Sequence, residues 1–198
     1  MGKNLRGLFC KVGDRYNISA SVLAALYARE SLVWEGHTHV TRATFGADKK
    51  DIDGFVGRCA RNYATATGPV QIIDSSWAGK PAWATPSSGA IEISESAMGK
   101  DNCRSGACAN AKKAMDISGS ITRCRWSDAI AAQGALIVMM FGYNAFDMKT
   151  ICKVSDIKGG KLVGPKWSDA CVRAIAHGYY GGYGYEDRVM DPYHDIKK

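Results

Sequence analysis

Val22, Leu23, Leu26 and Tyr27 recur at helical spacing, and Val33 and Trp34 continue the same stripe. Ser19 stands where an N-cap belongs, and Ile18 before it can staple onto Leu23. The pattern predicts a helix over 20–34, ended by Gly36. One position on its apolar face is Glu30. A carboxylate occupies the place of a core leucine.

The same spacing predicts a short helix over 3–15 from Leu5, Leu8, Phe9 and Val12, loosened by Gly7 and Gly13. Residues 37–66 are polar and mixed, and read as a loop with a short helical turn. Gly68-Pro69 breaks the chain, Val70, Ile72 and Ile73 are expected to bury, and Ser75-Ser76-Trp77 starts a turn or short helix. "AIEIS" alternates like a small strand. Residues 129–146, "AIAAQGALIVMMFGYNAF", carry no charge and just reach spanning length. Gln133, Asn144 and the Ala/Gly content favour the buried central helix of a globular domain, starting at an N-cap near Ser127. "DIKGGKLVGPK" reads as a polar loop. A last clear helix is capped by Ser168, stapled by Trp167 onto Val172, and broken at "YYGGYGY". The whole predicts a mainly α (α+β) fold in a single domain over 1–198, with a strand/loop insertion at about 78–125.

Composition fits a packed domain: 198 residues, 46% hydrophobic and 23% charged. The net charge of +7 favours an anionic partner such as nucleic acid, a membrane surface or a cell-wall polymer. Basic residues form no block and do not interleave with aromatics, which argues against nucleic acid. The N-terminal stretch has no apolar core of a secretory signal, and Arg6 spoils a myristoylation pattern. The seven cysteines match no zinc or redox spacing, so reduced thiols or one or two incidental disulfides are expected, with no metal and no cofactor. The odd count leaves at least one thiol unpaired within the chain.

Burial disfavours the charged form of Glu30 and raises its pKa, so the carboxyl can stay protonated near neutrality and act as a general acid. The alternatives are a structural ion pair, with Arg58 or Arg61 as the partner, or a half-exposed position at the stripe's margin.

The surroundings of Glu30 carry a resemblance. "LFCKVGDRYNISASVLAALYARES" ends in Glu-Ser, and "TGPVQIIDSSW" supplies Gly68, Gln71, Ile72, Ile73, Ser75 and Trp77 in order. Together these stretches resemble the goose-type lysozyme and soluble lytic transglycosylase superfamily. Pro69-Val70 stands where that family has Leu-Met. Two places compete for its Ala-Tyr-Asn-Ala-Gly signature. "GYNAF" has Tyr143-Asn144-Ala145 but ends in Phe146, whereas "AIAHGYYGG" has Tyr179 and Gly182 with Tyr180 in place of Asn. The position of Tyr179 at the end of a helix favours it.

The resemblance implies a lysozyme-like fold with a sugar-binding groove. It also implies cleavage of the β-1,4 bond between N-acetylmuramic acid and N-acetylglucosamine in peptidoglycan. Glu30 would protonate the leaving oxygen, Ser31 would orient it, and Gln71 and Tyr179 would line the groove. Goose-type enzymes carry an Asp two residues after the Gln; here that place holds Ile73, and Asp74 comes one later. Asp48, Asp51 and Asp53 remain candidates for a second carboxylate. A lytic transglycosylase needs none, which favours that subclass over a hydrolytic muramidase. A non-catalytic, glycan-binding member of the fold is the other alternative. The expected partner is the peptidoglycan glycan strand, met by a monomer without an integral membrane segment. Such a chain fits a phage endolysin made in the cytoplasm and released by a holin, or delivered with a virion to the wall.

Overall fold

The computed structural model describes residues 5–35, 60–62, 64–77, 90–92, 103–182 and 184–197, with 31–35, 60, 62 and 90–92 described by backbone alone. Helices dominate. α1 (Leu5–Tyr16) and α2 (Ala20–Glu35) come first, then strand β1 (Ala60–Asn62), the single turn α3 (Asp74–Trp77) and strand β2 (Ala90–Glu92). α4 (Gly106–Met115), α5 (Trp126–Gly142) and α6 (Met148–Cys152) follow, with a 3-10 turn at Ala145–Asp147. Strands β3 (Asp156–Lys158) and β4 (Lys161–Val163) precede α7 (Asp169–Tyr180) and α8 (Tyr185–Lys197).

Two helices are buried nearly all round. α5 buries a continuous run from Asp128 to Ala135. It is the expected central helix, and among the described residues no single helix is long and apolar enough to cross a membrane. α2 packs against α1, α5 and α8, and every side chain from Val22 to Ala28 is buried. The alanines between the stripe residues let neighbours approach from all sides. Edge-to-face contacts of Tyr27 with Phe9 (5.4 Å) and Trp126 (5.9 Å) join the three helices. Glu30 therefore sits where a fully enclosed helix begins to emerge, rather than on one apolar face of a half-exposed one.

Several elements differ from the sequence expectation. α5 begins at Trp126 with Arg125 as N-cap, and Ser127 does not cap it. Asp128 in the first turn instead ties the helix start to the preceding segment, accepting from the Thr122 N–H (3.0 Å) and pairing with Arg125 (3.0 Å). "DIKGGKLVGPK" is a hairpin, not a loop: Ile157 pairs with Leu162 across Gly159-Gly160, both at positive φ as a two-residue primed turn requires. Residues 60–62, expected in a loop, form β1 and pair antiparallel with β2, the strand anticipated in "AIEIS". The cysteine-bearing stretch after 103 forms α4, which buries Ala107, Cys108 and Ala111. Its side chains are too small to make a visible stripe. Ile73 is 39% exposed, not buried. Beyond α7 there is a further helix, α8, whose stripe of Tyr185, Val189, Tyr193 and Ile196 overrides the internal Pro192.

Ser168 caps α7 as expected, its Oγ accepting from the Cys171 N–H (3.3 Å), and Gly181 ends it in the left-handed conformation. Disulfides join Cys103 to Cys108 and Cys152 to Cys171, and Cys124 is disulfide-bonded as well. The Cys152–Cys171 bridge holds α6 against α7 and contributes about 3 kcal/mol by constraining the unfolded chain. Cys10 is a free, exposed thiol.

Candidate active site

Three parts of the chain converge on Glu30. The first is α2 itself. The second is the start of α8, where the Tyr185 hydroxyl donates to Glu30 Oε1. The third is the end of α7, where Tyr179 lies close enough for the Glu30 charge to raise its phenol. The α7–α8 glycine corner sets this geometry. Gly181 stops α7, and α8 starts at Tyr185 and runs back against α2.

Burial pushes the Glu30 carboxyl up to about 7, while the Tyr185 hydrogen bond and the field of Arg29 hold it from rising further. Among the described residues no Arg or Lys forms an ion pair with Glu30. Arg61, one of the two expected partners, is joined to Asp74 instead; Arg58 lies outside the described residues. Burial also raises the phenols of Tyr179 and Tyr185, and the nearby Glu30 carboxylate adds to both shifts. Both tyrosines thus remain neutral hydrogen-bond donors.

Tyr179 also meets the turn that follows Ala66. Thr67 N–H donates to the Ile72 carbonyl (3.2 Å), and the Gln71 N–H (3.1 Å) and side-chain Nε2 (2.7 Å) both donate to the Gly68 carbonyl. Gly68 has φ +79, and a β-carbon there would lie 2.0 Å from the Arg123 carbonyl oxygen. Only glycine fits. The turn presents the Val70 carbonyl to the Tyr179 hydroxyl, which donates at 2.7 Å. A residue from the resemblance's second stretch is thereby tied to the helix end beside Glu30.

Behind the turn, Asp74 is clamped by two buried arginines. Arg61 meets it through both nitrogens (2.9 and 2.8 Å), and Arg123 Nη1 lies 2.9 Å from Oδ1. Arg123 also donates to the Ile72 carbonyl (2.9 Å) and stacks over Trp77 at 5.5 Å. The guanidiniums hold the Asp74 carboxyl below its ordinary range despite the opposing effect of burial. Asp74 is a structural anchor for this turn.

The structure thus brings Glu30, Tyr179 and the Gln71 turn together. The Ser31 side chain, Asp48, Asp51 and Asp53 lie outside the described residues. Tyr143, the rival of Tyr179, is 80% exposed at the end of α5. Two participants have no sequence signal of their own. Tyr185 sits in a Tyr/Gly-rich stretch at the start of a helix that packs on α2 and α7. Gln133 is wholly buried on α5, and its amide eases the rise of the Tyr179 phenol, yet neither of its polar atoms completes a hydrogen bond among the described residues. Its place in an uncharged run was the available clue.

No protein-family model, curated protein or solved structure matches this chain.

Proposed function

We propose that the chain is a peptidoglycan glycosidase of lysozyme-like type, cleaving the β-1,4 bond between N-acetylmuramic acid and N-acetylglucosamine. One observation carries the reading: a carboxyl raised to about 7, held by a tyrosine hydroxyl and without a described ion-pair partner, beside a turn that Tyr179 ties down. A purely structural glutamate would be expected to find a cation or full solvent. Glu30 protonates the glycosidic oxygen as the C1–O bond breaks.

The lytic transglycosylase subclass is favoured over the hydrolase. A hydrolase that inverts needs a second carboxylate to activate water, and the nearest motif candidate, Asp74, is committed to Arg61 and Arg123. In the transglycosylase, the Glu30 carboxylate takes the proton of the muramoyl 6-hydroxyl. That oxygen then bonds to C1, closing a 1,6-anhydro ring and restoring the acid. Gln71 and Tyr179 line the groove. The +7 net charge suits an anionic wall.

The test compares clearing of purified peptidoglycan by wild type and Glu30→Gln, with mass spectrometry of the released sugars. Loss of clearing in the variant and anhydro ends from the wild type are expected. Undiminished clearing by Glu30→Gln overturns the reading, and reducing ends without anhydro products move it to the hydrolase.

A further inference from the structure

A groove of about 830 Å³ opens at the α7–α8 corner. It is lined by Phe146, Ile151, Arg173, His177, Glu186 and Asp187, with Gly181, Gly182 and Gly184 at one end. His177 and Tyr179 are two residues apart on one helix, so they point to nearly opposite sides, and Glu186 is turned by about 100° from its neighbour Tyr185. Its lining includes none of Glu30, Tyr179 and Tyr185, although it lies at the same corner between the two helices.

Its most unusual wall is Phe146, the residue that breaks the "YNAG"-like pattern. The ring is 56% exposed, and its edge meets His177 at 4.5 Å. The backbone that places it there is left-handed at Asn144, Phe146 and Asp147, with φ of 49, 50 and 53°. A bulky apolar residue rarely adopts that conformation, least of all to hold its ring in water. Two side-chain pairs join α7 and α8 in the groove's lining, Arg173–Asp187 and His177–Glu186. Asp187 offsets Arg173, and Glu186 adds a second carboxylate beside His177. In a chain of net charge +7 this groove offers no excess positive charge, so an anion is not its ligand. An exposed ring beside carboxylate oxygens and small glycines suits an uncharged, hydroxyl-rich molecule.

We propose that this groove is a second carbohydrate site, which takes an uncharged N-acetylglucosamine unit of the glycan strand. The sugar's apolar face stacks on Phe146, and its hydroxyls donate to Glu186 and Asp187. The proposal rests on the peptidoglycan reading for its ligand. It adds a holding site that keeps the enzyme on an insoluble strand while Glu30 acts elsewhere on it.

The test is a titration of the ¹⁵N-labelled Glu30→Gln protein with the tetramer of N-acetylglucosamine, followed by amide NMR. Shifts at Gly181, Gly182 and Gly184 are expected, together with about fivefold weaker binding at these amides in Phe146→Ala and its recovery in Phe146→Trp. Still amides at saturating tetramer, or shifts that survive Phe146→Ala unchanged, overturn the proposal. Should Phe146→Ala fail to fold, Ala170→Glu fills the groove from α7 and is read the same way. The two readings fail separately. Loss of wall clearing in Glu30→Gln with unmoved glycine amides removes only the second site. Clearing by Glu30→Gln removes the catalytic assignment, while shifts at the glycines still show glycan binding.

Discussion

The Tyr185 hydroxyl donates to the Glu30 carboxylate from 155 residues away in sequence. This bond favours the ionised carboxylate, so it limits a pKa that burial would otherwise drive higher. Removing it in Tyr185→Phe raises the Glu30 pKa further. The alkaline limb of the wall-clearing profile should then move to higher pH. The rate at the optimum should fall by about tenfold, because the acid is no longer held in one orientation. A pH–rate profile of both proteins checks this. An unmoved alkaline limb would show that Tyr185 does not set the acid's pKa.

Stability should respond to the same group. The Glu30 pKa is raised in the folded state, so the folded protein binds a proton that the unfolded chain has already released between about pH 4.5 and 7. The stabilisation is fully present below that window and is lost as pH rises through the folded value. Glu30→Gln has no such proton to lose. Wild type should therefore lose about 3 kcal/mol relative to Glu30→Gln between pH 4 and pH 8. Urea unfolding of both at the two pH values measures it.

Asp74→Ala should destabilise by about 3 kcal/mol, because it withdraws the carboxylate shared by two buried guanidiniums. Its pKa is depressed, so the wild-type contribution is present above the ordinary aspartate range and lost as pH falls through the folded value. Denaturant midpoints should differ between wild type and variant at pH 7, and the difference should narrow as the pH is lowered below the ordinary aspartate range. Loss of clearing with full retention of stability would instead place Asp74 in the chemistry.

Gly68→Ala should cost more than about 2 kcal/mol, since the new β-carbon meets a backbone carbonyl and the residue must also hold a positive φ. The displaced turn also moves the Val70 carbonyl away from Tyr179. Clearing activity of the folded fraction should fall as well, measured against active protein quantified by circular dichroism.

Gln133→Leu should be neutral or stabilising by about 1 kcal/mol, because it removes a wholly buried amide that forms no hydrogen bond among the described residues. If the amide serves the site beside Tyr179, clearing should drop although the melting temperature does not. Thermal melts and clearing rates on one preparation separate the two effects.

Helices with large side chains on a regular stripe were legible in the chain. α1 and α2 appear within two residues of their predicted ends, and Ser168 caps α7, because their apolar spacing and caps are local properties. The carboxylate at Glu30 was legible for the same reason, as an interruption of that spacing. What local pattern could not supply was the environment. α4 has side chains too small to show a stripe. α8 contains Pro192 and forms because its apolar side packs on α2 and α7. The start of α5 depends on Asp128 reaching back to Thr122 and Arg125. Whether Glu30 met a cation, water or a tyrosine depended on where α8 and the Gly68 turn came to rest. Likewise, Asp74 could be known as a clamp for Arg61 and Arg123 only once residues far apart in the chain had been packed together. Sequence by itself determined that the stripes of α1 and α2 would leave water and that an acid interrupts one of them. Only the tertiary structure decided what that acid would touch, because desolvation and hydrogen bonding are set by neighbours that the chain brings from a distance.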